Sequence, residues 1–155
     1  MYSWIKNKYK YIHHKKAAQV IELGNNSLIN FVKGAYINNV YIEDNAEINS
    51  FGGKLSYMSV GRNTYLYGNL QIYGFKGKLV IGRFCSIAGP LVIICGEGYH
   101  KNNRISTYPF PFKMPFKKNM SIENYYDEYS FPKCEVVIGN DVWVGEDVLI
   151  TQGVK

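Results

Sequence analysis

The side chains of this sequence best suited to proton transfer or nucleophilic attack near neutral pH are three histidines and three cysteines. His13 and His14 sit among Lys6, Lys8, Lys10, Lys15 and Lys16, and read as part of a solvated terminal segment. His100 stands apart, closing the stretch Gly96-Glu97-Gly98-Tyr99-His100. A neutral imidazole, with an unperturbed pKa of roughly 6.5, can take a proton from a hydroxyl as that oxygen attacks an electrophile. On position alone, a lone histidine reads equally as structural. Cys95 precedes His100 by five residues and could be cast as a nucleophile. Cysteine more commonly serves as a small buried hydrophobe. Cys85, Cys95 and Cys134 are odd in number and lack metal-ligand spacing. Reduced thiols in a cytoplasmic protein, with no metal, are the expectation.

The elements that must position these residues are written in a six-residue period. Ile138, Val144 and Ile150 recur at that interval, with Gly139 and Gly145 after the first two and Val142, Val148 and Val154 in a secondary apolar position. The period returns at Ile81, Ile87 and Ile93, with Gly82, Cys85 and Leu91, and at Val60, Leu66 and Ile72, with Gly61, Thr64 and Leu70. A weaker copy runs through Tyr36, Ile42 and Ile48, with Val40 and Ala46 in the secondary positions. Ile72 and Ile81 are nine apart, which places an insertion of three residues near Gly74 and Lys76-Gly77.

A period of six matches neither a helix nor simple strand alternation. It matches short strands separated by turns, each sending one aliphatic side chain inward, with glycine suiting a sharply turning backbone. Stacked coils of this kind make a parallel β-helix. The competing architecture is a sandwich of short strands with chance spacing. Composition agrees with an all-β chain, with 14 Tyr and 15 Gly in 155 residues. The length suits one domain, residues 1–155, and a hydrophobic fraction of 46% excludes disorder as the default. No apolar run approaches the roughly 18 residues that span a bilayer. The net charge of +6 comes with no nucleic-acid-binding motif.

From Cys95 to about Pro132 the period disappears, in an excursion of about 95–132 rich in aromatics and proline, including Tyr108-Pro109-Phe110-Pro111-Phe112. Excursions of this length in compact domains are usually functional or disordered. An open stack needs its end strands covered, and residues 4–22 are expected to form a helical or irregular N-terminal cap. At the other end, the sequence stops at Lys155 within a repeat run.

Two stretches resemble a known family. One is Ile81-Gly82-Arg83-Phe84-Cys85-Ser86-Ile87, followed by His100 and by Ser106-Thr107-Tyr108-Pro109-Phe110; the other runs from Val137 through Asn140-Asp141-Val142-Trp143-Val144-Gly145 to Gly153-Val154. Together, over roughly residues 36–155, they are similar to the hexapeptide-repeat acyltransferases of the xenobiotic and CatB type, which include streptogramin and polysaccharide O-acetyltransferases. The resemblance implies a left-handed parallel β-helix and a homotrimer with active sites between subunits. It further implies acetyl-CoA as the donor and a hydroxyl of a saccharide or small compound as the acceptor. His100 would be the general base, and Trp143 and Gly145 would lie along the acetyl-CoA arm. Tyr99 and Tyr108 would shape the acceptor side and the loop. Tyr99 and Lys101 stand where relatives carry Asn and Arg, and Asn103 where Asp is common. The chain is expected to lack the C-terminal coils and helix of its relatives. A second reading therefore stays open, that of a non-catalytic β-helix acting only as an assembly subunit. Tyr65, Tyr67 and Tyr73 are read as strand packing ahead of acceptor contacts.

Overall fold

The computed structural model describes residues 18–95, 106–108 and 134–154, and contains no helix among them. The chain divides into two compact units, Met1–Gly98 with Lys133–Lys155, and Tyr99–Pro132. The described part of the first is ten strands: β1 Ala18–Leu23, β2 Leu28–Phe31, β3 Tyr36–Ile42, β4 Glu47–Val60, β5 Tyr65–Ile81, β6 Ser86–Ala88, β7 Leu91–Ile94, β8 Glu135–Ile138, β9 Trp143–Val144 and β10 Val148–Thr151. Every pairing is parallel. The strands wind as a β-solenoid of about four turns. The parallel ladders rule out the sandwich, whose hairpin-connected strands would run antiparallel.

Register stacks the period into columns. Leu23, Ile42, Val60, Ile81 and Ile138 pair in succession, as do Ile29, Ile48, Leu66, Ile87 and Val144. Phe51, Leu70, Leu91 and Val148 form a third. Ile48, Leu66, Leu70, Ile87 and Leu91 are wholly buried. Burying each such side chain contributes about 1.5–3 kcal/mol, so the columns carry the fold.

Equivalent residues on neighbouring coils are 18 or 19 apart in the early coils, as at Asn45–Asn63 and Asn26–Asn45. The step lengthens to 21 at Thr64–Cys85, because the ladder shifts between Leu55↔Gly74 and Tyr57↔Lys78. That is where the sequence spacing located the insertion. The next step is 57, at Arg83–Asn140, and takes in the excursion. Residues 96–105 and 109–133 of it lie outside the described residues.

Three details differ from the sequence reading. Residues 18–22, assigned to the cap, belong to β1, which pairs along β3. Ile21 and Leu23 pack on the core while Val20 and Glu22 face outward, so alternation makes the segment a strand. Tyr36 is half-buried and Ile37 takes the core place, five residues before Ile42, as its register partner Leu55 stands five before Val60. The repeat glycines do not supply the turn, for Gly61 and Gly82 are absent from the residues at positive φ. The left-handed corners fall two residues later in each coil, at Asn26, Asn45, Asn63, Phe84 and Asp141, with φ from 55° to 60°. Gly61 and Gly82 are small because the next coil is close. A Cβ on Gly61 would lie 2.6 Å from the carbonyl of Gly82.

Candidate functional site

Trp143 opens β9 beside Val144, which turns inward, so the indole projects outward and is 79% exposed. Its register partner is Ser86, which pairs in turn with Tyr65. Tyr65, Tyr67 and Tyr73 point outward rather than packing in the core, and Tyr65 meets Tyr67 edge to face at 5.7 Å. The face around Ser86 is therefore walled by aromatics. Gly145, two residues beyond Trp143, has open space where a Cβ would stand. Trp143 and Gly145 thus both lie on exposed backbone of the last described coil.

Tyr108 belongs to the second unit, where its amide donates to the Ser106 hydroxyl at 3.1 Å. His100 and Tyr99 lie outside the described residues.

Cys95 is unsuited to nucleophilic attack. It is wholly buried, and its thiol donates to the carbonyl of Cys134 at 2.8 Å. Burial pushes its pKa up to about 11, so the thiolate is scarce near neutral pH. The two cysteines flank the excursion, between β7 and β8. Cys85 is likewise internal, donating to the Gly139 carbonyl at 3.1 Å. Thr64, a buried polar residue, donates to the Gly82 carbonyl at 2.8 Å and accepts from the Cys85 amide at 3.0 Å. It satisfies a corner of the ladder that would otherwise be left unpaired.

The sequence reading missed a charged cluster at the corner after β3. The Glu43 carboxylate accepts from Arg83 Nε at 2.8 Å and Nη2 at 2.9 Å, and from the Arg62 amide at 3.0 Å. The Arg83 hydrogen bonds, followed by that of Arg62, hold the Glu43 pKa down to about 2 against a usual 4.5. Glu43 in return raises Arg83 above its ordinary value. The partners are 40 residues apart, and only the coil register brings them together. The signal that could have found Glu43 is its place in the series Gly24, Glu43, Gly61, Gly82, where it is the exception.

The chain is similar to known enzymes in sequence. A chloramphenicol acetyltransferase of Agrobacterium fabrum is 45% identical over 108 residues, covering 61% of this chain and 50% of that protein. A probable macrolide acetyltransferase of Lysinibacillus sphaericus is 40% identical over 91 residues, covering 57% and 48%. A chloramphenicol acetyltransferase of Klebsiella aerogenes is 31% identical over 110 residues, covering 66% and 50%. No protein-family model matches the chain, and no solved structure gives a significant match. The chain spans about half the length of the curated relatives it matches. Over that half-length its sequence is similar to acetyltransferases named for chloramphenicol and macrolides.

Proposed function

We propose that this chain is an acetyl-CoA-dependent O-acetyltransferase, working as a homotrimer with its acceptor hydroxyl beside His100. The observation that carries this reading is the 45% identity over 108 residues to a chloramphenicol acetyltransferase. Those relatives favour a small hydroxylated xenobiotic as acceptor over a saccharide. Acetyl-CoA would lie along the last described coil, where the exposed Trp143 indole and the open backbone at Gly145 fit an extended arm.

His100 would take the proton of the acceptor hydroxyl as that oxygen bonds to the thioester carbonyl carbon. The carbon–sulfur bond then breaks, and the imidazolium returns its proton to the departing sulfur. The acetyl group ends on the acceptor oxygen, with no covalent enzyme intermediate. That economy agrees with Cys95 being a buried, protonated thiol. Tyr99 and Tyr108 would line the acceptor side. The three free cysteines go with a reducing cytoplasm.

The test is calorimetric titration of the chain with acetyl-CoA, with molecular mass measured on the same sample. Chloramphenicol and a macrolide are then offered as acceptors, with His100→Ala as control. One site per subunit in a trimer, and transfer lost in the variant, is the expected result. With His100 as base, transfer rises as pH passes upward through roughly 6.5, where the imidazole loses its proton. The second reading is a non-catalytic assembly subunit. A folded chain that binds no acetyl-CoA would select it.

A further inference from the structure

Strand β6 carries only small outward side chains between two taller neighbours. Ile87 turns inward and is wholly buried, while Ser86 and Ala88 on either side of it face out and are half-buried. On β5, Tyr65 is the register partner of Ser86 and Tyr67 that of Ala88. Both tyrosines are exposed, and their edge-to-face contact steadies the two rings. On β9, the exposed Trp143 is the register partner of Ser86 from the other side. Gly145 follows Val144, the partner of Ile87, and so comes beside Ala88 without a side chain.

The outcome is a channel along β6. The strands that bound it are two strand spacings apart, roughly 9.5 Å between backbones. One wall is the tyrosine pair, the other is the Trp143 indole, and the floor is a hydroxyl and a methyl group. Outward strand positions favour β-branched or aromatic residues, as Tyr65, Tyr67 and Trp143 show. Ser86 and Ala88 point away from the core, so packing there does not require either to be small. The Ser86 amide donates to the Val142 carbonyl at 3.0 Å, but its hydroxyl has no hydrogen-bond partner among the described residues. Its donor and its acceptor lone pairs are open to a ligand.

We infer that Ser86 and Ala88 are specificity-determining residues of the acceptor site, a reading that rests on the acetyltransferase function proposed above. The acceptor lies along β6, between the tyrosine wall and Trp143. Ala88 sets how deep it sits, and the Ser86 hydroxyl holds one of its polar groups. An acceptor lodged there is slender, one ring or one chain across. Bulk at Ala88 fills the channel from below and leaves the outer edge of the last described coil, where acetyl-CoA is placed, as it was.

The test is calorimetric titration of the full chain and its variants with chloramphenicol, with a macrolide and, separately, with acetyl-CoA, together with KM and kcat for each acceptor. Wild type should bind at least one acceptor saturably. Ala88→Leu should weaken that binding by about tenfold or more, as overfilling a close contact does, with acetyl-CoA affinity unchanged. If Ala88→Leu does not fold, Ala88→Val replaces it and should give a smaller loss. Ser86→Ala should raise the acceptor KM about two- to tenfold, the worth of one hydrogen bond, with little change in kcat. Ser86→Thr keeps the hydroxyl and should restore most of the loss. The acetyl-CoA titration reports on the transferase reading and acceptor affinity reports on the channel, so the two fail separately. A wild type that binds neither acceptor overturns the inference. So does a folded Ala88 variant with full acceptor affinity, or a loss confined to acetyl-CoA.

Discussion

The middle coils and the last described coil are written in the same repeat but sit in different surroundings. Around Val60–Leu66 and Ile81–Ile87, each inward side chain is at most 2% exposed. In the last coil, Ile138 and Val144 reach 7% and 9%, and Val142, Val148 and Ile150 are only partly buried. The glycines show the contrast more sharply. A Cβ on Gly82 would lie 2.4 Å from the carbonyl oxygen of Gly139, whereas one on Gly139 or Gly145 would meet nothing within 4 Å. A hexapeptide is therefore not a unit of stability by itself. Its worth comes from the coils on either side, as expected when each repeat touches only its neighbours.

Truncating the inward column tests that contrast most forcefully. Leu66→Ala removes a wholly buried side chain with coils above and below, and should cost about 3–5 kcal/mol. Val144→Ala, in the last coil, should cost less than about half as much. Urea unfolding of both variants gives the comparison, and equal losses would refute the neighbour argument. Substituting the glycines is the next largest effect. Gly82→Ala forces a methyl group against a backbone carbonyl that cannot swing away, at about 1–3 kcal/mol. Gly139→Ala in the same chain should lie within about 0.5 kcal/mol of wild type. A loss at Gly139 as large as at Gly82 would show that the close approach is not what selects glycine.

How far the sequence reads depends on the same distinction. The frames Val60–Leu66–Ile72 and Ile81–Ile87–Ile93 were legible because residues that stack on both sides must match in shape and spacing. Tyr36 misled because the inward residue on that face stands five rather than six positions before Ile42, at Ile37, as Leu55 does before Val60. Ala18–Leu23 was hidden because a strand with one neighbour among the described residues shows only a faint alternation. The glycines were located correctly but for the wrong reason, since sequence shows small size without saying what comes close. Trp143 and Gly145 were singled out through resemblance alone, and the structure shows only that both are exposed. Glu43 was marked only as the exception in the glycine series, and its partnership with Arg83 was not legible. Their pairing depends on coil lengths of 18 to 21 residues, which must be known before residues 40 apart can be aligned.

The corners offer a gain where the earlier changes give losses. Asn26, Asn45 and Asn63 stand in left-handed conformation one above another, and their side-chain amides link at 3.3 Å. Phe84 continues that column at φ 60 but ends the amide ladder, with its ring 52% exposed. Left-handed backbone costs a non-glycine residue about 1–2 kcal/mol, and asparagine tolerates it better through local hydrogen bonding. Phe84→Asn should therefore stabilise the chain by up to about 1 kcal/mol. Thermal unfolding measures it, and a loss would mean that the Phe84 ring packs more usefully than its exposure indicates.

The smallest effect concerns the pair that ties interior coils together. Glu43 reaches past Gly61 to Arg83, a link that the last described coil replaces with an uncharged bond, from the Arg83 amide to Asn140 Oδ1. Both charged side chains are nearly half exposed, so solvent screens the pair and its contribution is small. Its pH dependence nevertheless has a definite sign. The folded chain holds the Glu43 pKa near 2, below the usual 4.5, so folding favours the carboxylate. That stabilisation is complete above pH 4.5, declines as pH falls, and is gone once pH drops through 2. Glu43→Gln cannot titrate and should lack it at every pH. The stability difference between wild type and Glu43→Gln, measured by urea unfolding, should therefore be constant from neutral pH down to 4.5 and shrink toward 2. A difference that stays level across that acid range would mean that the Arg83 hydrogen bonds do not hold in solution. The interior coils would then rest, like the last one, on their apolar columns and backbone ladders alone.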